Sequence, residues 1–287
     1  MSLILWGPMI YNIVKSSRHY TRGGIDLLIC PVCGNPLQFQ NNVARCSFGH
    51  CFDVAREGYV NLLRSSKSGD LIGDDKASAR CRRDFLNKGY YASLKNTLCQ
   101  YFEGRQGSVL DICCGEGYYT AALAENKNLS VYGFDISREM VRLAAKRGGC
   151  RFFVANLASI PLAEASIDYA IHLFAPFQEA SFARVLRSGG RLITVIPGRK
   201  HLWGLKQALY DTPYENDEQL PVATTLKLVN TFKVTDHIAL QSQDDIQAVF
   251  RMTPYFFHTA SKDKEKLLSL TQLETPVEFL LAEYEKP

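Results

Sequence analysis

A chain of 287 residues with 46% hydrophobic content is long enough to bury one large core and a small satellite. Nine cysteines, an odd number, argue against a disulfide scaffold and suit a reducing cytoplasm. The net charge of +4 hides an asymmetry: residues 1–105 carry 14 Lys and Arg against 8 Asp and Glu, whereas residues 106–287 carry 19 against 21. The excess includes Lys67, Lys76, Arg80, Arg82, Arg83 and Lys88. A basic first third is the footprint of a phosphate-backbone partner, with a solvated helix face as the plainer reading of each residue.

Residues 1–29 form an extension whose apolar stretch, Leu3 to Val14, is interrupted by Gly7 and Pro8. It is too short to span a bilayer and no small-residue cleavage site follows, so neither an anchor nor a signal peptide is expected. Residues 30–64 carry Cys30-Pro-Val-Cys33-Gly34, then Cys46 and His50. These spacings, C-x2-C and C-x3-H, deliver two ligand pairs on tight turns, as a tetrahedral Zn2+ requires. Gly34 suits a knuckle that turns backbone N–H groups toward the thiolates. Cys51 is an alternative fourth ligand; His50 is the expected one, and a three-Cys, one-His site makes Cys51 a small core residue. Four protein ligands leave no position for a metal-bound water, so the site is expected to be structural. Residues 65–105 read as a linker and pre-core helices. The stretch Arg64 to Asp75 is a connection in which Asp74 or Asp75 caps the helix that follows.

Val109 to Thr120 reads VLDICCGEGYYT. An apolar run carrying Asp111 breaks into a turn with Gly115 and Gly117, and a helix starts at Tyr118. A strand that turns sharply into a helix presents backbone N–H groups to a ligand, and glycine allows close approach. The dinucleotide fingerprint fails, because the positions it needs hold Cys113, Gly115 and Tyr118. An acid followed at steps of two by small residues instead resembles the first motif of class I S-adenosylmethionine methyltransferases. One departure stands out: Cys113 takes the place of the first glycine, so the turn must tolerate a side chain there.

The order of the following segments strengthens the match. Leu129 to Phe134 is a second strand-like run ending in Asp135, 20 residues beyond Gly115 and placed to accept hydrogen bonds from ribose hydroxyls. A helix over 137–147, a strand over 151–155 and then Asn156-Leu157, placed to contact an adenine, come next. Ile167 to Phe174 and Arg191 to Ile196 are further strands with a helix between them. Strands alternating with helices predict an α/β fold, a parallel doubly wound sheet with ligands at the carboxyl ends of its strands. Leu226 to Ala239 and Val277 to Tyr284 look like the closing antiparallel pair of the methyltransferase fold.

With the zinc quartet come Phe52-Asp53, Glu57 to Leu62 (EGYVNL), Phe85-Leu86, Gly89-Tyr90-Tyr91, the cofactor turn, Pro197-Gly198 and His201-Leu202. Together they resemble the bacterial 23S ribosomal RNA guanine-N1 methyltransferases, from about Cys30 to the C-terminus. The resemblance implies a class I (Rossmann-like) methyltransferase domain over 106–287 that binds S-adenosylmethionine. It also implies a small N-terminal zinc-ribbon domain that recognises RNA, a homodimer, and a cytoplasmic enzyme without membrane association. Tyr91, Gly115, Glu116 and His201 match family positions that touch the cofactor; Asp111, Gly117, Asp135, Asn156 and Leu157 complete the predicted set. Residue by residue, Tyr91 can equally be a packed aromatic and His201 a surface histidine.

Guanine N1 is mostly protonated at neutral pH, so its methylation calls for a base or an oriented water. His172, at the carboxyl end of a strand, is the most tempting base, and a wall residue is its plainer reading. The segment Leu173-Phe-Ala-Pro-Phe177 lacks the Asn/Asp-Pro-Pro-aromatic motif of exocyclic-amine methyltransferases, and no Pro-Cys nucleophile for pyrimidine C5 is present. A ring nitrogen is the better target, with Phe174 and Phe177 as aromatics able to stack a splayed-out base. Two other classes compete: a small-molecule methyltransferase with an incidental zinc module, and a non-enzymatic RNA-binding zinc protein with a degenerate cofactor fold.

Overall fold

The computed structural model describes residues 27–63 and 76–287. The apolar stretch Leu3 to Val14, Lys67, Asp74 and Asp75 lie outside the described residues. The chain begins with a three-stranded antiparallel sheet, β1 (Gln38–Gln40), β2 (Val43–Arg45) and β3 (Cys51–Asp53). Asn41 and Asn42, both left-handed at φ 52° and 60°, make the tight turn between β1 and β2. Asparagine tolerates that conformation better than other side chains, which fixes this hairpin's register.

The main sheet holds eight strands in the order β10-β11-β9-β8-β5-β6-β7-β4. Its centre is parallel: β5 (Gly107–Ile112), β6 (Leu129–Asp135), β7 (Arg151–Val154), β8 (Ile167–Leu173) and β9 (Leu186–Pro197). Val109, Leu110, Ile112, Phe134, Phe153, Ala170, Ile171 and Ile193 are all fully enclosed. Strands buried on both faces need such continuous apolar runs, which is why the runs are plain in the sequence. Because β5 pairs with both β6 and β8, the strand order reverses between β5 and β8, the switch point at which sheets of this kind bind ligands. The C-terminal β10 (Lys227–Leu240) and β11 (Leu273–Glu285) form the expected antiparallel pair, and β11 runs antiparallel to β9.

Helices α3 (Tyr118–Leu123), α4 (Arg138–Arg147), α5 (Glu179–Val185) and α6 (Trp203–Leu209) make the crossovers. The bounds of α4 follow from local chemistry. The Ser137 hydroxyl accepts from the Met140 N–H, Glu139 lies in the first turn and Lys146 and Arg147 in the last, and Gly148 at φ 76° ends it.

Two features go beyond the sequence reading. The zinc segment does not stand apart: β4 (Val60–Asn61) pairs in parallel with β7 at the sheet edge, and the Ile29 N–H donates to the Pro161 carbonyl at 3.0 Å. Leu28, Leu37, Ala44, Val60 and Leu62 share one apolar cluster with Phe134, Phe153, Ile160 and Leu162. So small a unit buries its apolar side against its neighbour because it has little core of its own. The pre-core helices α1 (Lys76–Asn87) and α2 (Ala92–Tyr101) likewise belong to the main core through Phe85, Leu86, Leu94 and Leu98. Between β10 and β11 the chain inserts α7 (Gln243–Arg251), α8 (Tyr255–His258) and α9 (Ser261–Lys266). Asp245 of α7 accepts from Lys88 at 2.6 Å and from Tyr90 at 2.9 Å, tying the insertion to the end of α1.

Candidate cofactor site and metal centre

At the switch point the turn after β5 is built from three left-handed residues: Cys113 (φ 58°), Gly115 (φ 55°) and Gly117 (φ 81°). The two glycines serve different ends. A Cβ on Gly117 would stand 2.8 Å from the Ala144 Cβ, so this glycine lets α3 pack on α4. A Cβ on Gly115 would meet nothing nearer than the Arg82 Cδ at 3.9 Å, so its outer side faces open space, a cradle of the kind a ligand fills. The Gly115 N–H donates to Asp135 Oδ2 at 3.0 Å and the Ser137 N–H to Asp135 Oδ1 at 2.9 Å. The carboxylate ending β6 therefore fixes the turn that follows β5.

Asp111 lies beneath the turn, buried, and accepts from the Thr120 hydroxyl at 2.5 Å. Burial pushes its carboxyl up to about 7, against the opposing effect of that hydrogen bond. Asp111 thus braces the start of α3 from inside. Glu116 is also enclosed and pairs with Arg147, which further donates to the Asn87 side chain. Its Oε1 has no hydrogen-bond partner, and burial raises its carboxyl despite Arg147. Asn156 follows β7 and accepts from the Ala158 N–H at 2.9 Å, starting a short 3-10 turn that holds Leu157 half-buried. The Ala155 N–H donates to the Asp135 carbonyl at 3.1 Å, which puts Asn156 and Leu157 at the level of the Asp135 end of the site.

Tyr91 and His201, 110 residues apart in sequence, meet: Tyr91 Oη and His201 Nε2 are 3.2 Å apart and both side chains are buried. His201 Nδ1 accepts from the Glu278 N–H at 3.2 Å, so Nε2 carries the ring proton and donates to Tyr91. Burial lowers the His201 imidazole to about 3. Phe85 and Phe279 pack edge-on against Tyr91 at 5.2 and 5.1 Å between ring centres. His201 is thus buried, not a surface histidine, with both ring nitrogens engaged. Its enclosure comes from β11, which no local pattern around residue 201 reveals.

Residues outside the predicted set also converge here. The charge of Arg82, on α1, acts on Tyr91, Tyr119 and Glu116 together. The Tyr119 hydroxyl is buried and has no hydrogen-bond partner. Arg82 was visible in the sequence only as one of a run of cations. The rest of that run divides: Arg83 pairs with Asp84 and Lys88 with Asp245, while Lys76 and Arg80 are exposed. His172 is buried at the end of β8, and its Nδ1 has no hydrogen-bond partner. Its Nε2 lies 3.2 Å from the Pro176 carbonyl, its ring packs between Phe177 and Phe182, and burial lowers it to about 4.

The metal quartet gathers as its spacing predicts. The ligand atoms of Cys30, Cys33, Cys46 and His50 all lie within 4.8 Å of one another. The Sγ atoms of Cys33 and Cys46 are 3.7 Å apart, and His50 Nδ1 is 3.6 Å from Cys30 Sγ and 3.3 Å from Cys46 Sγ. A tetrahedron with Zn–S bonds of about 2.3 Å has S–S edges of about 3.8 Å, so these residues fit Zn2+. Gly34 at φ 73° closes the first knuckle, its N–H donating to the Cys30 carbonyl at 2.8 Å. The Asn35 amide donates to Cys33 Sγ at 3.4 Å and holds that thiol down at about 6, favouring the thiolate a metal needs. His50 completes the quartet, but Cys51 is not the core residue expected: it is exposed at the edge of β3 and donates to the Gly49 carbonyl.

Comparisons with known proteins agree with both halves. Residues 28–67 match the zinc-ribbon family described as "RlmA, N-terminal", and residues 109–192 match the family described as "Methyltransferase domain". A 23S rRNA (guanine(748)-N(1))-methyltransferase of Streptomyces fradiae is 35% identical over 193 residues, covering 64% of this chain and 68% of the relative. A Micromonospora griseorubida protein, provisionally named a 23S rRNA (guanine-N(1)-)-methyltransferase, is 32% identical over 61% of this chain and 67% of its own. YxjB of Bacillus subtilis, provisionally named for the same activity, is 28% identical over 83% of this chain and 89% of its own.

The two glycines of the turn should separate on substitution. Gly117→Ala combines a left-handed Cβ with a 2.8 Å approach to Ala144 and should cost about 2–4 kcal/mol in urea unfolding. Gly115→Ala should cost only about 1–2 kcal/mol of backbone strain, yet weaken binding of a ligand at the open side of the turn, read by calorimetry. Equal stability losses would mean that both glycines serve packing. The protein should hold one zinc per chain by elemental analysis, and Cys33→Ser should hold nearly none. Because Leu62 donates to the Val154 carbonyl at 2.9 Å, exchange of the Leu62 amide should quicken in that variant. Unchanged exchange would show the sheet edge to be independent of the metal.

Proposed function

This chain belongs to the 23S rRNA (guanine-N1)-methyltransferase family, and on that premise we propose that it transfers a methyl group from S-adenosylmethionine to N1 of a guanine in 23S ribosomal RNA. The observation that carries this reading is the joining of a zinc segment to the cofactor sheet. The segment that holds the zinc quartet adds β4 to the edge of the eight strands whose switch point holds the Gly115–Asp135 turn. The relatives do not favour a small-molecule methyltransferase or a non-enzymatic zinc protein.

When bound, S-adenosylmethionine supplies a methyl group on a sulfonium, which guanine N1 takes as the S–CH3 bond breaks and the N1 proton is released. The chain's own residues do the positioning, and the gain is one of proximity and alignment. In this reading Asp135 accepts from the ribose, and Asn156 and Leu157 flank the adenine. Gly115, between Asp111 below and Gly117 behind, lets the cofactor lie against the backbone. Tyr91 borders the methionine end with Glu116. Because His201 already donates to Tyr91 Oη, the tyrosine's own proton is directed elsewhere, toward an acceptor on the cofactor side. His201 and His172 are both held as neutral rings by burial. His201 has each nitrogen engaged, so it orients Tyr91 and takes up no proton.

The zinc holds the ribbon in shape, and residues 30–64 serve RNA recognition, with the exposed Lys76 and Arg80 of α1 contacting phosphates. A homodimer and a cytoplasmic location follow from the family resemblance. Among the described residues no helix is long and apolar enough to cross a membrane.

Mass spectrometry of ribosomal RNA from cells with and without the gene tests the reading directly. One 23S guanine should carry a base methyl in the first sample and lack it in the second, and purified protein with S-adenosylmethionine should restore it. An unchanged methylation map, together with no transfer to unmodified rRNA in vitro, would overturn it.

A further inference from the structure

Phe174 and Phe177 stand three residues apart after β8 and are equivalent in the sequence; the fold makes them opposites. Phe177 turns inward against His172, Phe182 and Tyr284. Phe174 keeps 42% of its surface exposed. It follows the carboxyl end of β8, beside the switch point, and is held there by its N–H donating to the Val195 carbonyl at 3.1 Å. Its backbone is left-handed at φ 55°, which a bulky aromatic adopts only under constraint from its surroundings. One flank of the ring rests on the buried His201 at 6.5 Å between ring centres, with planes 25° apart, and on Phe279 at 5.8 Å. His201 in turn bonds Tyr91. Local strain thus presents a broad apolar ring to solvent at the mouth of the cofactor site, backed by a rigid aromatic floor.

We propose that Phe174 is the platform on which the target guanine stacks once it has left its RNA helix. This rests on the function proposed above and assigns a positioning residue to it. A flat, uncharged ring at the mouth of the site suits a flat heterocycle, and base–aromatic stacking is the general means of holding an extruded base. Stacking also suits the chemistry. After N1 loses its proton, the lone pair lies in the plane of the guanine ring. A base held by its face therefore presents N1 edge-on, leaving that edge clear for in-line approach to the methyl group.

Phe174→Gly is the informative variant, because glycine removes the ring and takes the left-handed backbone without strain, which offsets the packing lost on His201 and Phe279, so its urea unfolding midpoint should stay close to the parent's. Its methyl transfer to unmodified 23S rRNA should fall about 5- to 150-fold, the range that loss of one base stack gives. S-adenosylmethionine affinity by calorimetry should stay within about twofold, and Phe174→Trp should recover most of the rate. Parent-like transfer by Phe174→Gly would overturn the proposal. So would a parallel collapse of S-adenosylmethionine binding, which would make the ring part of the cofactor pocket, or a Phe174→Trp variant as slow as Phe174→Gly. A parent protein that transfers no methyl to rRNA would instead defeat the function on which the proposal rests.

Discussion

The Asp135 carboxylate holds the site together. Its two oxygens accept from the Gly115 and Ser137 N–H groups, so one side chain at the end of β6 fixes both the turn after β5 and the entry into α4. An ionised carboxylate bound by backbone donors is among the stronger polar contacts a protein makes. It adds a side-chain tie to the backbone one between the same strand ends, the Cys114 N–H donating to the Phe134 carbonyl at 2.8 Å. With it, the open side of Gly115 faces a defined space, Asp111 and Thr120 pack beneath, and Gly117 seats α3 on Ala144. The site depends on this geometry before any ligand arrives, as binding without reorganisation requires.

Strain is concentrated in the same region. Cys113, Phe174 and Leu202 are non-glycine residues at φ 58°, 55° and 57°, and they follow β5, β8 and β9, neighbours in the sheet. Each left-handed residue of this kind costs roughly 1–3 kcal/mol and persists only when surrounding packing imposes it. Here the packing comes from far along the chain. The Leu202 N–H donates to the Pro276 carbonyl, and Glu278 and Phe279 enclose His201. Strand β11 therefore does more than close the sheet: it holds the loops after β8 and β9 in conformations they would not adopt alone.

The parts of this molecule that the sequence exposes are those decided locally. Parallel strands buried on both faces leave unbroken apolar runs, so β5, β6 and β8 could be read almost to the residue. Metal ligands must come in pairs on tight turns, so Cys30, Cys33, Cys46 and His50 were legible from spacing. What the sequence hid depends on long-range packing. Nothing near residue 201 says that a strand 77 residues later buries it, and nothing near Asp245 says that it bonds Lys88 and Tyr90. The helices between β10 and β11 went unread beside the stronger strand pattern. The zinc segment reads as a separate satellite, because its contacts with Phe134, Phe153 and Leu162 involve residues that also make sense as core of the larger sheet. Phe174 and Phe177 were indistinguishable until the backbone at Phe174 reversed hand.

If Asp135 organises the cofactor site, titrating S-adenosylmethionine into an Asp135→Asn protein by calorimetry will reveal it. The change preserves shape but replaces one accepting oxygen by an N–H2 group that faces a backbone donor. Hydrogen bonds to charged groups are worth about 1.5–3 kcal/mol, so affinity should drop on the order of 10- to 150-fold while zinc content and the cooperative unfolding transition are kept. Affinity equal to that of the parent would contradict the account, since the turn would then hold its shape and its ligand without the carboxylate.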